Sequence, residues 1–145
     1  MTRQQKFERL LWVAAGSAVI ALAGCAGMAS NQSVRVTLSG ANEVPAVNTR
    51  ASGSGTFTVS ADRSVSGSVI TTDLNGTAAH IHTGAAGMNG PIAVGMNRNG
   101  DNGWVIPASA KFTDAQYEAY RTGGTYVNVH SAANKGGEIR GQLRP

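Results

Sequence analysis

Short runs of alternating apolar and polar residues, each closed by glycine, proline or an Asn/Asp cluster, confine this chain to a β-fold. In residues 33–38, Val34, Val36 and Leu38 fall on one side and Arg35 and Thr37 on the other, the two-residue period of a half-buried strand. Residues 39–45 break that run, and Pro45 has no N–H for a ladder. Residues 55–60, with Phe57 and Val59 inward, and 64–72, where Val65, Gly67 and Val69 alternate with polar residues, form a hairpin around 61–63. A turn at 73–76 leads to a strand over 78–83, a glycine loop at 84–90 and a short strand at 91–96. Residues 97–103 read as a turn, and 104–106 as a brief extended piece. Thr113 and Gln116 have capping-box spacing, and Gly123-Gly124 supply a stop, so one short helix lies between them. Residues 125–131 and 138–143 are the last two strands. Nineteen glycines and an aromatic content of 6% argue against a long-helix architecture. The expected fold is all-β: an antiparallel, Greek-key-like sandwich or flattened barrel of seven or eight short strands with one short helix.

The first 24 residues are of a different kind. Residues 2–9 are polar and net positive, and 10–24 are apolar but shorter than the about 20 residues a membrane span requires. Small residues then run into the only cysteine, as Leu22-Ala23-Gly24-Cys25. This resembles the lipobox of bacterial lipoproteins, in which the cysteine is lipidated and becomes the new N-terminus. The implied layout is a lipoprotein signal peptide at 1–24, the lipidated Cys25 with a flexible tether over 25–33, and a β-domain over 34–145. Ala26, in place of an aspartate, implies sorting to the outer membrane on its periplasmic side. From Cys25 onward the chain has nine Lys/Arg and seven Asp/Glu, scattered along it, which is a solvated surface and no nucleic-acid footprint. One cysteine excludes an intramolecular disulfide.

The chemistry-bearing residues are the three histidines. His80 and His82 stand two apart on a strand, so both point to the same side, roughly 7 Å apart at Cα, while Ile81 faces the other way. On 126–130, Val127 and Val129 take the apolar face, which leaves His130 with Tyr126 and Asn128 on the opposite one. If the two strands are neighbours, three imidazoles converge, and with a water or a fourth ligand they suit copper or zinc. The competing reading is that the rings bond to backbone carbonyls and hold the glycine-rich loops. Met88 and Met96 offer thioethers to copper(I), although a loop position and a core position account for them as well. Gly84, Gly87 and Gly90 make no phosphate loop, since no lysine follows; positive φ angles in a tight excursion explain them. Ser131 and His130, adjacent on a strand, face apart and make no nucleophile–base pair. Glu43 and Glu138 read as a turn anchor and an edge-strand charge before they read as paired catalytic carboxylates. Copper/zinc superoxide dismutase also has an H-x-H strand pair, but its two-metal site needs six histidines and an aspartate, against three histidines here.

Five blocks in order, L-S-G-A-N-E-V-P (38–45), H-I-H-T-G-A-A-G-M-N-G-P-I (80–92), T-D-A-Q (113–116), G-G-T-Y-V-N-V-H (123–130) and G-G-E-I-R-G-Q-L (136–143), resemble the CHRD domain. That domain is named from chordin, an extracellular binder of growth factors, and also occurs singly in bacterial secreted proteins. The resemblance implies a binding module and names no reaction. The resulting expectation is a non-enzymatic, lipid-anchored envelope protein holding one copper or zinc ion at His80, His82 and His130, for metal capture, delivery or tolerance. The alternatives are a structural or adhesive domain that binds an envelope protein or glycan without metal, and a mononuclear metalloenzyme with an open coordination position.

Overall fold

The computed structural model describes residues 32–145. The expected signal peptide, Cys25 and nearly all of the expected tether lie outside the described residues; Ser33, assigned to the tether's end, already begins the first strand. The strands are β1 (Ser33–Ser39), β2 (Ser52–Val59), β3 (Val65–Thr72), β4 (Gly76–Thr83), β5 (Ile92–Gly95), β6 (Asn97–Asn99), β7 (Gly103–Val105), β8 (Thr125–Ser131) and β9 (Ile139–Leu143). One helix, α1 (Asp114–Arg121), lies between β7 and β8. All pairings between named strands are antiparallel, and the order across the single sheet is β5-β4-β8-β9-β1-β2-β3-β7-β6.

The two edges of that sheet are β5 and β6, which Met96 alone separates in the chain. A nine-stranded sheet whose edges are joined by one residue has to roll up, and this one is nearly closed into a barrel. The seam is held by Met96 N–H donating to the Ala79 carbonyl at 3.0 Å and by Arg98 donating to the Gly76 carbonyl. The all-β, antiparallel sandwich-or-barrel expectation therefore describes the fold, with one strand more than the sequence indicated. The extra strand is β6. Its residues Asn97-Arg98-Asn99 are all polar and exposed, so they carry no alternation to read; they pair with β7 across a turn that holds Gly100 at φ +72°.

The barrel interior takes the apolar face of every wall: Leu38, Phe57, Val69, Ile81, Val127 and Ile139 are almost completely enclosed. Each such side chain contributes about 1.5–3 kcal/mol by leaving water. Where β9 meets β1, Gly141 is required by space, since a Cβ there would stand 2.4 Å from the Thr37 carbonyl oxygen. The helix forms as its caps dictate. Thr113 Oγ1 accepts from Gln116 N–H at 3.2 Å, Gln116 Oε1 accepts from Thr113 N–H at 2.8 Å, and Gly123 follows the helix at φ +77°. Its Tyr117 and Tyr120 rings stack 6.4 Å apart, with Tyr120 buried against the core.

Candidate metal centre

The outward face of β4–β8–β9 carries polar residues that are nevertheless buried. Register sets His80 opposite Asn128, His82 opposite Tyr126 and Ala78 opposite His130; on the far side of β8, Asn128 faces Arg140 and Tyr126 faces Gln142. Every residue of β8 is buried, the inward Val127 and Val129 as well as the outward Tyr126, Asn128 and His130. The adjacency that the sequence left conditional is thus present: β4 and β8 are neighbours and the three imidazoles meet.

What covers this face is loop backbone. His82 Nδ1 lies 2.9 Å from the Gly90 carbonyl, and Gly90 N–H donates to the Tyr126 hydroxyl at 3.2 Å. Arg140, 1% exposed, reaches under the same loop: its Nη2 donates to the carbonyls of Ala85 at 3.0 Å and Met88 at 2.9 Å. Gln142 Nε2 donates to the Gly84 and Gly123 carbonyls. A second loop is tied by His130, whose Nδ1 lies 2.9 Å from the Lys135 carbonyl. The expected positive φ angles in the first loop occur at Gly87 only. Gly90 is needed for another reason: a Cβ there would collide with the Thr83 carbonyl oxygen at 1.6 Å. Part of the loop-fixing role is therefore real, and it accounts for one nitrogen each of His82 and His130.

The remaining nitrogens point at one another. A carbonyl can only accept, so Nδ1 of His82 and of His130 each carries the proton, and each Nε2 presents a lone pair. His130 Nε2 lies 2.9 Å from His80 Nδ1 and accepts its proton. His82 Nε2 is buried without any hydrogen-bond partner. The ring centroids are 4.8 Å (His80–His130), 5.5 Å (His80–His82) and 6.1 Å (His82–His130) apart, and one ligand nitrogen from each ring falls within 4.8 Å of the others. Nitrogens bound tetrahedrally at about 2.0–2.1 Å from one ion are about 3.3 Å apart. The rings would have to draw together by more than about 1 Å at the widest pair; with that closure the set could hold a metal ion. Imidazole N–H groups anchored on backbone carbonyls are the usual outer support of such ligands.

Burial, then the neighbouring His130 and His82 rings, pull the His80 pKa from 6.5 down to about 4. That of His82 is lowered too, chiefly by burial. His80 thus stays neutral, the ligand form, in mildly acidic solution, and burial acts on His82 in the same direction. The Asn128 carboxamide is near enough to both Glu43 and His82 to influence them, but it makes no hydrogen bond to His82 Nε2, and among the described residues its own Oδ1 is likewise without a partner. Glu43, read as a turn anchor, follows the short 3-10 turn Gly40–Asn42 and is buried, and desolvation lifts its carboxyl to about 7 against the opposing pull of Arg140. Glu138 has a different environment, accepting from Thr49 Oγ1 at 2.7 Å, so each carboxyl has its own set of partners. Met96 packs in the core and Met88 stands 61% exposed on the loop. Ser131 Oγ accepts from Asn134 N–H, a loop tie.

The sequence reading missed Arg140 and its partners. Its guanidinium lies 3.4 Å from the centre of the Tyr126 ring, and His82 stacks on that ring at 4.9 Å and 6°. Because β8 lies between β4 and β9, the three groups form a sandwich, His82–Tyr126–Arg140. An arginine on the face opposite Ile139 and Gly141 was the one available signal, but nothing local says that face is covered. Compared with known families, residues 34–143 match the model of the CHRD domain. No curated protein and no solved structure matches the chain.

Proposed function

The chain belongs to the CHRD domain family, and on that premise we propose that it is a non-enzymatic binding protein of the bacterial cell envelope. Lipid at Cys25 anchors it to the outer membrane on the periplasmic side, and it takes up one copper or zinc ion through His80, His82 and His130 for capture, delivery or tolerance. The observation that carries the metal reading is the buried, partnerless Nε2 of His82, in a group whose ligand nitrogens lie within 4.8 Å of one another. An enclosed lone pair without a donor is costly unless something occupies it. The ion would be held by three neutral imidazoles, two of them oriented by carbonyls of the covering loops, with His80, the least buried ring, facing the entrance. Copper(II) or zinc(II) titration of the purified protein tests this. One equivalent is expected to bind below micromolar dissociation constant, about −8 kcal/mol, and uptake is expected to vanish in His82→Ala; unchanged uptake in that variant would overturn the assignment.

A second reading, a structural or adhesive domain for an envelope protein or glycan, has its own support. Met88 on the covering loop and Ile92 just beyond it are large apolar residues that stand largely exposed. Pull-down from envelope extracts, compared between the protein and Met88→Ser, separates it from the first.

A further inference from the structure

Resting on that metal reading, we propose that the centre selects a monovalent ion, copper(I), over divalent zinc or copper, because its surroundings hold a fixed positive charge and no counter-anion. Three observations lead there. The ligand group consists of three histidines with no carboxylate or thiolate among the described residues, so the protein's donors bring no negative charge. Arg140 is enclosed with only the Tyr126 ring between its guanidinium and His82, and no ion pair to it is present among the described residues. The carboxyl that could offset it, Glu43, has its pKa raised to about 7 by its own burial, so it is mostly the neutral acid below that pH and only a partial counter-charge near it.

Ligand type does not decide the matter, since imidazole serves copper and zinc alike. Charge and number do. The cost of moving an ion out of water grows with the square of its charge, so a divalent ion is penalised far more in this enclosed, anion-free setting. Arg140, with the Tyr126 ring between it and His82, sets a positive field at this ligand. The same field acts on a bound cation in proportion to its charge. Three nitrogens complete a trigonal shell for copper(I), whereas zinc(II) seeks a fourth ligand. Asn128, beside His82, is the position where a carboxylate would reverse the preference, and an uncharged carboxamide stands there.

The test is anaerobic titration of the purified full-length chain with copper(I) against a chromophoric copper(I) chelator, alongside zinc(II) titration and potentiometry of the copper-loaded protein. Copper(I) is expected to bind more than about tenfold tighter than zinc(II), with a midpoint potential above that of the aqueous copper couple. In Asn128→Asp the potential is expected to fall by about 59 mV for each tenfold gain of copper(II) over copper(I). A copper(I)-to-zinc(II) ratio of tenfold or less, or a potential below the aqueous couple, overturns the preference while leaving metal binding standing. Failure of every ion to bind overturns both. Should Asn128→Asp not fold, the ratio and the potential of the unaltered protein decide alone.

Discussion

Two walls of the barrel use the same two-residue period to different ends. On β2–β3 the period separates core from water: Phe57, Val65 and Val69 are enclosed, while Ser54, Thr56, Ser66 and Ser68 are exposed on the outside. On β4–β8–β9 it separates two interiors. Ile81, Val127, Val129 and Ile139 face the barrel core, and His82, Tyr126, Asn128 and Arg140 face a second, polar interior roofed by loops. A buried polar face has to find a partner for each group it encloses. Arg140 and Gln142 do so with loop carbonyls, yet the buried side-chain atoms without partners among the described residues, Glu43 Oε1, His82 Nε2 and Asn128 Oδ1, all belong to this roofed side. The difference teaches that the alternation of a strand fixes which residues share a face, whereas the cover decides what that face can do.

Removing the tie between roof and wall should break the comparison most severely. Arg140→Met leaves the Ala85 and Met88 carbonyls without their donor, and is expected to destabilise the protein by about 1–3 kcal/mol for each carbonyl orphaned, measured by urea unfolding. Next comes the metal. At a hundredfold excess over its dissociation constant, a bound ion should add about 2.7 kcal/mol to the unfolding free energy, and none in His82→Ala, as read from paired thermal melts with and without metal.

A smaller effect, in pH, sets groups of the roofed side against each other. His80 and His82 have folded pKa values below the unfolded 6.5, that of His80 near 4, so the unfolded chain binds more protons over this range and stability falls as pH drops through it. Glu43 has the opposite sign: its folded pKa of about 7 exceeds the unfolded 4.5, so stability falls as pH rises from 4.5 towards 7. The two trends offset between pH 4.5 and 6.5. Glu43→Gln should therefore steepen the acid-side loss of stability, and urea midpoints at pH 7, 6 and 5 in both proteins will show it; parallel curves would refute the opposed pair. The smallest effect belongs to the open wall. Ile70 on β3 is 65% exposed, and Ile70→Ala should stay within about 0.5 kcal/mol of the parent in the same urea assay.

Most of the strand positions along the chain were legible because period two and turn chemistry are local. The alternation around Phe57 and Val69, the capping box at Thr113 and the stop at Gly123 are decided by neighbours a few residues away. The strand at 97–99 was not, because its polar residues gain their strand form from pairing with β7 and not from a buried face. At the centre, the sequence placed His80 and His82 on one side of their strand and His130 with Tyr126 and Asn128 on one side of theirs. It read Glu43 as a turn anchor without its burial and passed over Arg140, since burial on an outward face leaves no mark in the alternation.

By itself, then, the sequence determined the β-class, the helix limits, the five family blocks and the faces on which the histidines stand, all through interactions between residues close in the chain. Tertiary structure alone decided that β4 pairs with β8, bringing together rings fifty residues apart, and that the sheet rolls until β5 and β6 meet. It also decided that the 84–90 loop folds back under the grip of Arg140 and Gln142. These outcomes depend on closure across long stretches of chain, where burial and space select one pairing among several that the local pattern allows equally.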